Sequence, residues 1–139
     1  MTNNLSQLFR ERIAEGLSRQ SLTNVSEWAE KYRVMGKPFP GKWSFKYHPW
    51  LKAMHDSKYD FNVGQKAAQM GYTETVLNWI FKSIDLDGES CLYVLPTSDD
   101  ASDFSASRFD PALEESEHLN NLFSNVKNVG LKRAGSASL

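Results

Sequence analysis

Between Tyr59 and Pro96 the hydrophobic periodicity changes twice, and no other stretch constrains the fold as strongly. Residues 59–63, YDFNV, alternate and place Tyr59, Phe61 and Val63 on one face, the period of a β-strand. Residues 73–84, TETVLNWIFKSI, shift to a helical period, with Val76, Leu77, Ile80, Phe81 and Ile84 on a wide apolar face suited to packing on a sheet. After the breaker DLDGES, residues 91–96, CLYVLP, form a continuous apolar run suited to a strand buried on both faces. Strand, loop, helix, strand is the order of a βαβ unit, whose strands lie parallel.

The loop joining the first strand to the helix, NVGQKAAQMGYTET, carries the chemistry. The common phosphate-binding loop, G-x-x-x-x-G-K-[ST], needs backbone N–H groups converging on an anion, a cation for the phosphates and a hydroxyl for Mg²⁺. Here Gly71 permits close backbone approach, Thr73 supplies the hydroxyl, and Tyr72 stands between them where lysine is usual. Lys66 occupies the position of the usual first glycine, five residues before Gly71, and can reach back to the phosphates, so the cation is displaced rather than absent. Lys-x4-Gly-x-Thr also arises by chance, with Lys66 a solvated loop residue; the flanking strand and helix are the context that favours a site. The fold expected is α/β, a P-loop NTPase-type parallel sheet with a helical N-terminal extension, incomplete at the C-terminus. Residues 1–58 would be the helical and aromatic extension and 59–139 the first part of the P-loop domain.

Upstream, residues 5–18 place Leu5, Leu8, Phe9, Arg12, Ile13 and Leu17 at helical spacing. A second helix is expected over 26–34, with Ser26 as its cap, Glu27 and Glu30 at its positive end, and Trp28 and Tyr32 stacking at i,i+4. MGKPFPG stops it; Trp43, Phe45 and Tyr47 then alternate, and a helix is expected after Pro49. Past residue 96, TSDDASDFSASRFDPALEE reads as a cap plus a helix interrupted by Pro111, with Thr97 or Asp99 as N-cap, and SEHLNNLFSNV as another short helix.

Charge is segregated: residues 1–66 carry eleven Lys/Arg against six Asp/Glu, residues 67–126 two against eleven, and residues 127–139 three against none. A basic front suits an anionic ligand or partner, although solvated faces give the same blocks. No apolar run reaches the ~18–20 residues of a membrane span and the N-terminus lacks a signal-peptide core, so a cytoplasmic protein without membrane contact is expected. Lone Cys91 has no partner for a disulfide or a metal site and is expected as a small buried hydrophobe.

The segments VSEWAEKYRVM, FPGKWSFKYHPWLKAMHD, KAAQMGYTETVLNWI, LYVLPTSDDASDFSASRFDPAL and GLKRAGSASL occur in that order. Together, over residues 25–139, they resemble the N-terminal ATPase region of the large terminase subunit of lambda-like tailed phages, the GpA type. That family's phosphate loop is a deviant Walker A with its lysine at the loop's start, as Lys66 is here, and closes on GYT or GYS, which accounts for Tyr72. The resemblance implies ATP and Mg²⁺ as cofactors, held by the loop Lys66, Ala67, Ala68, Gln69, Met70, Gly71, Tyr72 and Thr73. Lys66 would hold phosphate, Thr73 the Mg²⁺, and backbone groups of Gln69 to Tyr72 the β-phosphate. Trp43, Phe45 or Tyr47 would receive adenine, with packing on the sheet edge the other role open to each.

Double-stranded viral DNA, a small terminase subunit, the portal or procapsid and further copies of the motor are the partners implied, in the bacterial host cytoplasm. The strand that would carry the Mg²⁺-ordering Asp and the water-positioning Glu is expected beyond KRAGSASL. The catalytic residues therefore stay unassigned, and a truncated or split gene product unable to hydrolyse ATP alone is expected. Two other readings stay open: a non-enzymatic DNA- or partner-binding module using the basic front, and a helicase-like P-loop fragment, against which Tyr72 counts.

Overall fold

A computed structural model describes residues 3–20, 24–124 and 133–134. Helix α1 spans Asn3–Gln20. Its apolar residues Leu8, Phe9, Ile13 and Leu17 are exposed. Helix α2 spans Val25–Tyr32 and carries Trp28 and Ala29 into the core. Ser26 does not cap it as expected. Instead the Asp56 carboxylate, from the end of the next helix, accepts from the Ser26 backbone N–H at 3.0 Å and from its Oγ at 2.7 Å. A negative group at the positive end of a helix stabilises it and satisfies an orphan donor.

The chain leaves α2 in extended conformation and forms an antiparallel ribbon, β1 (Val34–Met35) with β2 (Gly41–Lys42), pairing Val34 with Lys42 and Met35 with Gly41. Trp43 N–H donates to Arg33 O at 2.9 Å and prolongs the ribbon. Helix α3, Trp50–His55, begins after Pro49, whose missing N–H costs nothing in a first turn. Helix α4, Tyr72–Lys82, continues into a π-helical turn, Ser83–Asp87, that Gly88 ends with φ of 67°.

The C-terminal half winds as α5 (Ser98–Phe104), a π-helical turn (Ser105–Phe109), α6 (Asp110–Glu115) and α7 (Glu117–Leu122). Thr97 is the N-cap of α5, its Oγ1 accepting from Asp100 N–H at 3.1 Å. Pro111 does not interrupt the run; it sits in the first turn of α6, and the wide turn before it accommodates the missing donor. A second ribbon pairs β3 (Phe123–Ser124) with β4 (Arg133–Ala134). The last residues of SEHLNNLFSNV and most of GLKRAGSASL lie outside the described residues.

The parallel α/β sheet expected from the sequence is not what the chain forms. Among the described residues the only strands are these two-residue antiparallel pairs. Residues 59–63 and 91–95 take no part in a ladder, and Tyr59, Phe61, Val63, Leu92 and Val94 are exposed. Alternation reports compatibility with a strand, but a strand exists only where a partner accepts its hydrogen bonds.

The place such a sheet would take against α4 is filled otherwise. Leu77 and Phe81 are fully buried with Trp28, Ala29, Trp43, Phe45, Leu51, Ala112, Leu113 and Leu119, a core drawn from α2, α3, α6, α7 and the residues after β2. Each large side chain buried there contributes roughly 1.5–3 kcal/mol. Among the described residues, no helix is long and apolar enough to cross a membrane.

Candidate functional site

Residues 61–67 have no regular structure, and a turn at 68–70 delivers the chain to α4. Gln69 has φ of 58° and Gly71 φ of 79°, two left-handed residues that aim the backbone into the first helical turn. Only glycine fits at 71, since a β-carbon there would meet Leu51 Cδ1 at 2.7 Å. At Gly64 a β-carbon would overlap the Tyr72 ring. The tyrosine that replaces the expected lysine therefore packs on the start of the loop and holds its two ends together.

The helix end that this loop presents is open. No side chain caps α4, and the helix opens with a bond from Thr75 N–H to Gly71 O at 3.1 Å. Backbone donors of the first turn are thus free for a ligand. Thr73 is half-buried, and its hydroxyl makes no hydrogen bond among the described residues. Lys66, Ala67, Ala68, Gln69 and Met70 are exposed, and Lys66 makes no ion pair among them. Uncapped donors, a free hydroxyl and a free ammonium on one loop fit a phosphate with a hard cation. No cluster of three or more His, Cys, Asp or Glu that could hold a metal occurs among the described residues.

Beneath the loop runs a buried polar chain. Arg33, 3% exposed, donates from NH2 to Glu74 Oε2 at 2.9 Å and from NH1 to the carbonyls of Val34 and Ala112 at 2.9 and 3.1 Å. Its Nε donates to Asn78 Oδ1 at 3.2 Å. Asn78 Nδ2 in turn lies 3.0 Å from His55 Nε2, and His55 Nδ1 lies 2.7 Å from Leu51 O. A carbonyl only accepts, so Nδ1 carries the proton, Nε2 accepts from Asn78, and the imidazole is neutral. Burial pushes the His55 pKa below its ordinary value, against the upward pull of the bond to Leu51 O and of Asp56. Burial likewise lowers the pKa of Arg33, opposed by Glu74. The chain ties α2, α3, α4 and α6 together and ends at Leu51, the residue on which Gly71 rests.

The aromatics divide sharply. Trp43 and Phe45 are buried, and their rings pack on His55 at 5.3 and 4.9 Å between centroids, so neither is open to a base. Tyr47 is 74% exposed, with Lys46 Nζ 5.3 Å from its ring centroid, and remains accessible. Cys91 is exposed, contrary to the buried hydrophobe expected from its apolar neighbours, and Leu92 and Val94 beside it are exposed as well.

Arg33, Glu74, Asn78 and His55 were not singled out by sequence. Glu74 and Asn78 stand four apart on a helix that also carries Val76, Leu77, Ile80 and Phe81, which is the signal that could have found them, since polar groups on a buried face require partners.

A family model described as phage terminase large subunit gpA, ATPase domain, matches residues 37–134. No curated protein and no solved structure matches the chain.

Proposed function

The chain belongs to the gpA family of phage terminase large subunits, in the part that is its ATPase domain, and from that premise we propose that residues 66–73 bind the phosphates of ATP with Mg²⁺. The observation that carries this reading is the uncapped N-terminus of α4, reached through left-handed Gly71 and flanked by the free hydroxyl of Thr73. Backbone N–H groups from Gln69 to Tyr72 orient the β-phosphate, the Lys66 ammonium neutralises charge from the loop's opening edge, and Thr73 Oγ1 is the protein's ligand to Mg²⁺. Tyr47 is the aromatic left to stack on adenine. Bound ATP supplies the phosphoanhydride whose hydrolysis, by catalytic residues that stay unassigned, drives viral DNA into a procapsid. Double-stranded DNA, a small terminase subunit, the portal and further copies of the motor are its partners in the host cytoplasm.

The role of Thr73 is tested by calorimetric titration of ATP with and without Mg²⁺. Wild type is expected to bind more tightly with Mg²⁺, and Thr73→Val to lose that gain; an equal gain in both proteins removes Thr73 from the site. A second reading, a DNA- or partner-binding module, draws on the basic charge of residues 1–66. It is favoured if salt-dependent DNA affinity exists and survives Lys66→Ala.

A further inference from the structure

Glu74 follows Thr73 in the first turn of α4, at the helix end that would receive phosphate. A free carboxylate there would occupy the positive end of the helix itself and repel an incoming anion. Its charge is instead held by Arg33, whose NH2 donates to Glu74 Oε2 at 2.9 Å, the two side chains being 3% and 18% exposed. Arg33 has no freedom to follow a ligand. The carbonyls of Val34 and Ala112 and the amide oxygen of Asn78 fix the guanidinium from three directions, and its face lies 5.5 Å from the Phe81 ring centroid.

Resting on the nucleotide reading above, we propose that Arg33 is a positioning residue: it neutralises Glu74 and draws that carboxylate into the protein, leaving the N-terminus of α4 open to an anionic ligand. The residue acts through Glu74 and does not touch the phosphates. An interaction that merely braced the fold would change stability when altered and leave anion affinity alone. An electrostatic gate changes affinity in a direction set by the sign of the charge removed.

The test is MgATP titration of the full chain and three variants. Glu74→Gln keeps an oxygen for Arg33 while removing the negative charge, so affinity should tighten by about two- to fivefold, the range of charge effects at a helix terminus. The gain should shrink as salt is raised, because it is electrostatic. Arg33→Met strands the carboxylate and should weaken binding, and adding Glu74→Gln to it should restore affinity to at least the wild-type level even though the melting temperature stays low. Glu74→Gln is the decisive variant should Arg33→Met fail to fold. Wild-type affinity in a folded Glu74→Gln, with only its melting temperature changed, overturns this inference alone. Folded wild type that binds no MgATP overturns the nucleotide reading, and this inference with it.

Discussion

Leu51 lies so close to Gly71 that a β-carbon on the glycine would come within 2.7 Å of Leu51 Cδ1. Gly71 also has φ of 79°, so space and backbone conformation exclude a side chain independently. Gly71→Ala is expected to lower unfolding free energy by roughly 2–4 kcal/mol, the left-handed penalty added to an overpacking penalty. Leu51→Ala in the same chain relieves the contact but not the φ strain. A denaturant-melt double-mutant cycle should therefore show part of the Gly71→Ala cost recovered, not all of it.

Trp43 and Phe45 differ from Tyr47 in what they touch, and substitution should separate them. Alanine at Trp43 or Phe45 empties buried space and should cost about 3–5 kcal/mol. Tyr47→Ala, at an exposed position, should change stability by less than about 0.5 kcal/mol while weakening ATP binding. Chemical denaturation and nucleotide titration on the same three variants check both halves.

His55 gives stability a pH dependence of fixed sign. Its folded pKa is depressed by burial, and the bond it accepts from Asn78 needs the neutral ring. Above the ordinary histidine pKa of about 6.5 both folded and unfolded chains hold it neutral, and the full contribution is present. As pH falls below that value the unfolded chain takes up a proton that the folded chain resists, so stability should fall by up to about 1.4 kcal/mol per pH unit from this group. Urea melts at pH 7.5 and 5.5 should show a larger drop for wild type than for His55→Gln.

Tyr59, Phe61, Val63, Leu92 and Val94 are apolar and exposed in the fold. Phe61→Ser and Leu92→Ser should therefore alter unfolding free energy by no more than about 0.5 kcal/mol, where buried strand residues would cost several times more. A loss of about 2 kcal/mol or more in either melt would place that segment in a packed sheet.

Much of the helical content was legible because it rests on local signals. Pro49 before α3, Thr97 before α5 and the period of α4 each need only near neighbours in sequence. That residues 59–63 and 91–95 join no ladder was not legible, since strand pairing is decided by distant partners. Tyr59, Phe61 and Val63 have the period of a strand without the hydrogen-bonding neighbour that would make one. In the candidate site, the turn at Gly71 and the helix that starts beside it could be read from spacing. The support under them could not: Arg33 and Glu74 are 41 residues apart, and their pairing depends on how α2 and α4 pack. Ser26 was misread for the same reason, its partner Asp56 being 30 residues away.

Lys66, at the start of the loop, is the cation proposed for the ATP phosphates. Calorimetric titration of MgATP into wild type and Lys66→Ala tests it most directly, with Cys91→Ala as a control substitution. Loss of a charge-assisted contact should weaken binding by about 10- to 100-fold in Lys66→Ala and leave Cys91→Ala at the wild-type affinity. Equal affinities for wild type and Lys66→Ala would remove Lys66 from the phosphate site.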